Sequence, residues 1–147
     1  MKFQIATMIA AATFATSAFA DSHAGAGDVA KGEKTFGKCK ACHMIQDADG
    51  ETIKKGGKTG PNLYGIIGRQ AGTVEGFKYG DALVTAGENG LVWDAETFEA
   101  YVADPTGFLR EYLEDGGARS KMSFKLRKGA EDVYAYLASV APAPAAE

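Results

Sequence analysis

The chain has 147 residues, with 16 Lys and Arg against 19 Asp and Glu and a formal charge of −3. That length suits a single domain. The slight acidic excess excludes a generally basic, nucleic-acid-binding chain.

The first twenty residues read as an address. Met1-Lys2 is a short positive start, Phe3 to Phe14 is mostly apolar, and Ala18-Phe19-Ala20 has the small-x-small pattern of a signal-peptidase site. The apolar stretch is short and Thr-rich for a membrane span. An uncleaved N-terminal anchor is the alternative, and the cleavage pattern without a following stop-transfer segment speaks against it. The expectation is a signal peptide over 1–20, cleaved after Ala20, and a periplasmic protein with no stable membrane insertion. Cleavage also removes Lys2, so the mature chain is one charge more acidic.

The mature domain is expected over 21–140. Asp21 to Gly27 is small and polar, a frayed terminus. A first helix is predicted from near Asp28, a good N-cap, towards Lys38. Gly32 and Phe36 share one of its faces, and Gly32 in mid-helix permits close approach of another helix. Met44 to Gly60 reads as loop, punctuated by Asp47, Asp49, Gly50, Gly56, Gly57 and Gly60. Pro61 to Gly72 reads as irregular chain with a short helical turn. Asp81 to Ala86 is a candidate short helix stopped by Gly87 and Gly90.

Asp94 caps a predicted helix through Ala103, with Phe98, Tyr101 and Val102 as its apolar stripe, and Pro105 ends it. Thr106 to Glu114 restarts a helix, closed by Gly116-Gly117. The last helix runs over Ala130–Val140, where Val133, Tyr136, Leu137 and Val140 follow the helical period. Glu131 and Asp132 suit its N-terminal dipole. Ala141 to Glu147 alternates Ala and Pro, and 141–147 is expected to be a disordered tail. No segment alternates cleanly as a strand. The expected fold class is therefore all-α: about five short helices with long loops. Such loops need something large at the centre to pack on, and a buried prosthetic group would enlarge a small core.

The two cysteines lie in Cys39-Lys40-Ala41-Cys42-His43. This is the C-x-x-C-H signature of covalent haem attachment. Two thiols at this spacing each add to one vinyl group of a single haem, and the next residue, His43, is then held beneath the iron. Two other chemistries use similar residues. A zinc site needs about four N or S ligands, and beyond Cys39, Cys42 and His43 the mature chain offers only His23, near its terminus. A thioredoxin-like pair follows a strand in a βαβ pattern, whereas the flanking chain here reads as helical.

A second axial ligand must come from elsewhere. Met1 and Met8 leave with the signal, and Met44 adjoins His43 and cannot easily reach the opposite face. Met122 remains, in the polar, Lys-rich Ser120-Lys121-Met122-Ser123-Phe124, with surface gap-filling as its ordinary alternative. His23 is the rival ligand. A Met ligand favours ferrous iron and raises the potential. Filled axial positions leave no easy site for dioxygen or a substrate.

Cys39–His43, Thr59-Gly60-Pro61-Asn62-Leu63-Tyr64-Gly65, Gly68-Arg69, Trp93, Met122 and Tyr134-Ala135-Tyr136-Leu137 together resemble the class I cytochromes c. The resemblance covers nearly all of Asp28 to Val140. The longer loops before Pro61 and Met122 are similar to the large-type bacterial cytochromes c2 and c550. The resemblance implies the small class I fold around one haem c per chain. It also implies a Pro61 carbonyl accepting from the axial His43. Arg69, Tyr79 and Trp93 would lie near the haem propionates, and Tyr101 and Ser120 beside the Met122 sulfur. Gly32, Phe36 and Tyr136 would form the contact between first and last helices. Leu83 departs from the pattern, standing where a polar residue of the propionate-side pocket would align.

Lys38, Lys40, Lys54, Lys55, Lys58, Lys121, Lys125, Arg127 and Lys128 cluster in sequence around the proposed ligands. Acidic residues concentrate elsewhere, notably Asp94, Glu96, Glu99, Glu111, Glu114 and Asp115. A mixed soluble surface is one reading. A basic face around the haem edge that steers a monomeric carrier onto acidic partners is the sharper one. The resemblance implies a periplasmic electron-transfer protein, not an enzyme, with a cytochrome bc1 complex as donor and a photosynthetic reaction centre or cytochrome oxidase as acceptor. Two alternatives are a dedicated donor to a periplasmic reductase and a haem enzyme or ligand sensor with an open sixth position.

Overall fold

The computed structural model describes residues 27–141. The expected signal peptide over 1–20, His23 and all of the expected tail but Ala141 lie outside the described residues. Among the described residues there are five helices: α1 Val29–Thr35, α2 Asp81–Glu88, α3 Ala95–Ala103, α4 Pro105–Tyr112 and α5 Ala130–Val140. A 3₁₀ turn, Phe36–Lys38, continues α1.

Helix α1 begins where its sequence provides a cap: the Asp28 carboxylate accepts from Lys31 N–H at 2.9 Å. Asp28 N–H also donates to Asp132 at 2.7 Å, tying the start of α1 to α5. The two helices cross at Gly32, where a Cβ would fall 1.9 Å from the Asp132 carbonyl oxygen and 2.8 Å from Tyr136 Cβ. Only glycine permits that approach. Phe36 then meets Tyr136 with ring centroids 5.7 Å apart. The contact expected between first and last helices is present.

Helix α3 opens on a reciprocal capping box between Asp94 and Thr97. Asp104 is both the last cap of α3 and the first of α4. Its carboxylate accepts from Gly107 N–H at 3.1 Å. Pro105 starts α4 instead of merely ending α3, because the first helical position needs no N–H donor. Helix α4 ends at Tyr112, short of the expected Glu114, which itself takes φ 51°.

Two other segments depart from expectation. Helix α2 runs through Gly87 to Glu88, because Gly87 packs on the Ala71 carbonyl, 2.0 Å from where a Cβ would sit. Within the predicted loop, β1 (Ile45–Gln46) pairs antiparallel with β2 (Thr52–Lys54). Strands of two and three residues are too short to show alternation in sequence. Their turn is held by the Asp47 carboxylate, which accepts from Asp49 N–H at 3.0 Å and Glu51 N–H at 2.8 Å. Gly50 takes φ 85° there. The all-α architecture otherwise stands. Phe36, Ile45, Leu91, Leu109, Val133 and Leu137 form the most deeply buried core. No described helix is long and apolar enough to cross a membrane.

Candidate functional site

The helices and loops enclose a cavity of about 580 Å³, within the range that encloses a whole small-molecule ligand. Cys39, Cys42 and His43 line it from the end of the first helical segment, and Met122 lines it from the chain between α4 and α5. Much of the remaining wall is apolar, with Leu63, Ile66, Trp93, Phe98, Leu126 and Val133.

The first three side chains are presented by continuous helical turning. Cys42 N–H and His43 N–H both donate to the Cys39 carbonyl, at 3.1 and 2.9 Å. The thiols are not bonded to each other. Burial, with Cys42 adding to it and Lys38 opposing it, pushes the Cys39 thiol up to about 11. That is the reverse of the lowered thiol that a thioredoxin-like pair requires. Among the described residues no three His, Cys, Asp or Glu side chains are gathered to hold a metal ion, so the zinc alternative has no geometric support there.

His43 is 9% exposed. Its Nδ1 lies 2.8 Å from the Pro61 carbonyl oxygen, which can only accept. Nδ1 therefore carries the proton, and Nε2 keeps its lone pair. Burial holds the imidazole below its usual range, against the opposing pull of the Pro61 carbonyl, so it stays neutral. Three glycines shape the cradle. A Cβ on Gly60 would stand 2.3 Å from His43 Cε1, one on Gly56 1.7 Å from the His43 carbonyl oxygen, and one on Gly57 2.2 Å from the Ala41 carbonyl oxygen. Their repetition in sequence signals turns, and their packing role emerges only in the fold.

Met122 is held by a short polar chain. Its N–H donates to Ser120 Oγ at 3.0 Å, Ser120 Oγ shares a hydrogen bond with Tyr101 OH at 2.9 Å, and Ser120 N–H donates to Thr106 Oγ1 at 3.2 Å. Burial raises the Tyr101 phenol, with the Ser120 bond opposing, so it stays protonated. Tyr101 and Ser120 line the same cavity as Met122, hydrogen-bonded to each other and, through Ser120, to the Met122 backbone. Thr106 was missed, since nothing in its local sequence marks it. Tyr79, Leu83 and Trp93 also line the cavity. Arg69 does not. Its guanidinium donates to the Gly65 and Thr73 carbonyls at 3.3 and 3.4 Å, bracing the turn between them.

The expected basic residues divide. Lys38 and Lys121 line the cavity, joined by Lys78 and Arg119, which sequence reasoning did not single out. Lys54 pairs with Glu33, and Lys125 with Asp104 at 2.7 Å. The lining fits a large flat cofactor: apolar walls, two thiols, an imidazole with a free Nε2, and a thioether.

No protein-family model matches the chain. Curated relatives do. It is 64% identical to cytochrome c-551 of Roseobacter denitrificans over 78% of this chain and 81% of the relative. It is 54% identical to cytochrome c2 of Rhodobacter capsulatus over 92% and 94%, and 49% identical to cytochrome c-550 of Paracoccus versutus over 100% and 94%. The solved structure of Rhodobacter capsulatus cytochrome c2 superposes with a TM-score of 0.76 at 58% identity, covering 78% of this chain and 98% of that one. At these identities over nearly whole chains, this protein belongs to the class I bacterial c-type cytochromes of the cytochrome c2 and c-550 family, electron carriers rather than enzymes, with one covalently attached haem c per chain.

Proposed function

We propose that Cys39 and Cys42 attach the haem, that His43 and Met122 are its axial ligands, and that the chain shuttles single electrons in the periplasm from a cytochrome bc1 complex to a photosynthetic reaction centre or terminal oxidase. One observation carries the site: a single cavity is lined by all four residues, with the His43 tautomer set by Pro61. A haem held there would supply a one-electron redox centre.

The residues perform the rest. Cys39 and Cys42 would hold the haem, the S–H of each thiol adding across one vinyl group with sulfur on one carbon and hydrogen on the other. The Pro61 carbonyl orients the His43 ring and increases the basicity of Nε2. The Met122 thioether is a weak donor and favours the reduced state. Trp93, Phe98 and Val133 exclude water. Lys38, Lys78 and Arg119 put positive charge at the mouth, where an acidic partner would dock quickly and weakly.

The test is the ferric absorption spectrum with a redox titration. The native protein is expected to show the charge-transfer band of a Met–iron bond. Met122→Ala should abolish the band and lower the potential, and an unchanged spectrum refutes the ligand assignment. Electron transfer to a purified reaction centre should slow as salt rises; a salt-independent rate refutes the basic docking face.

A further inference from the structure

We infer that Lys54 is a positioning residue for His43: its ion pair with Glu33 anchors the strand that leads into the glycine segment against which the imidazole packs. The Lys54 ammonium donates to the Glu33 carboxylate, joining β2 to α1. The Tyr136 phenol of α5 lies beside both charges: burial raises its pKa, with Lys54 opposing and Glu33 adding. Tyr136 is itself buried, its ring against Phe36. The pair therefore sits on the contact between α1 and α5, where Gly32 lets the two helices meet.

Strand β2 needs an anchor because it buries no side chain. Thr52 and Ile53 are exposed, and Lys54 is half-buried. Its partner strand is held by Ile45, which is fully buried and pairs with Lys54. The chain then runs through Lys55, Gly56, Gly57, Lys58 and Thr59, of which only Gly57 is not exposed. Two backbone hydrogen bonds fasten this stretch to the segment that carries His43. Gly57 N–H donates to the Lys40 carbonyl and Gly60 N–H to the Cys42 carbonyl, both at 2.8 Å. The far end is fixed by Asn62, whose side chain exchanges hydrogen bonds with the Gln46 backbone at 2.6 and 3.0 Å. Lys54 fixes the near end. Gly60 lies so close to the imidazole that a small shift of the segment moves the ring against the Pro61 carbonyl. An exposed ion pair adds little to overall stability. Here it sets the place of a strand that has no apolar hold of its own.

The inference rests on His43 being an axial ligand, and the experiment reads the segment and the ligand separately. It uses the haem-loaded protein. A Glu33→Gln and Lys54→Met double variant removes the pair without changing net charge, and a Glu33→Lys and Lys54→Glu swap keeps a pair in reverse. Deuterium exchange of the Gly57 and Gly60 amides is followed by NMR. The reference is Leu126 N–H, which donates to the Val102 carbonyl at 2.8 Å. In the double variant both glycine amides should exchange about twofold to fivefold faster, with Leu126 unchanged. Its reduction potential should rise as the Pro61 carbonyl loses its hold on His43. The swap should restore both values. Unchanged glycine exchange, equal acceleration at Leu126, or a swap that behaves like the double variant overturns the anchor. Faster glycine exchange with an unchanged potential overturns the positioning of His43. Ferric protein whose His43 ring protons show no paramagnetic shift overturns the ligand reading first, and the positioning role with it.

Discussion

At the scale of single residues, the imidazole of His43 is placed by what its neighbours lack. Gly60 leaves room for the ring: an added Cβ would stand 2.3 Å from Cε1 and 2.6 Å from Nδ1. The Gly60 backbone is itself fixed, its N–H donating to the Cys42 carbonyl at 2.8 Å. Gly60→Ala should therefore push the ring off the Pro61 carbonyl. The expected cost is about 1–3 kcal/mol of overpacking strain, seen as a lower urea midpoint. The potential should rise as His43 loses basicity. Gly37→Ala is the control: nothing lies within 4 Å of its added Cβ, and its midpoint should not fall. That Cys39, Cys42, His43 and Met122 belong together was legible in sequence, and one cavity is lined by all four, because chemistry dictates the residue types and their adjacency. The glycine cradle was not, since Gly56, Gly57 and Gly60 serve the Lys40–His43 segment farther back in the chain and look like turn punctuation.

At the scale of elements, the corner between α3 and α4 turns on Asp104. The Lys125 ammonium hydrogen-bonded to it, with Gly107 N–H, holds its carboxyl below the ordinary 3.8. A carboxylate with a depressed folded pKa stabilises the fold above its unfolded pKa, and that contribution disappears as pH falls through the folded one. Asn caps a helix about as well as Asp, so Asp104→Asn isolates the charge. Its melting temperature should lie below the native value at neutral pH, with the gap closing as pH drops below 3.8. A gap of constant size down to about pH 2 would show that the charge is irrelevant. Five helices were legible because caps and apolar spacing are local. The hairpin escaped notice because two very short strands carry no period, and Pro105 was read as a breaker although it opens α4.

At the scale of the whole molecule, the lysines are not equivalent. Lys54 is held to Glu33, and that hydrogen bond raises its pKa, so its charge is partly cancelled. Lys38 lines the cavity mouth and is exposed, with no ion pair among the described residues. At low ionic strength Lys38→Gln should slow association with an acidic redox partner more than Lys54→Gln does, and the difference should vanish at high salt. Stopped-flow rates against salt check this; equal slowing by both variants would sink it.

The sequence by itself determined the chemistry. Two thiols and an imidazole within five residues, one remaining methionine downstream, and helix caps in place all follow from spacing along the chain. Only the tertiary structure decided which lysines have internal partners, that Thr106 accepts from the Ser120 backbone, and that Arg69 braces a turn instead of lining the cavity. The reason is physical. A residue's neighbours within a turn or so are set by backbone geometry. Contacts between separate segments are set by how the elements pack, and sequence spacing does not encode them.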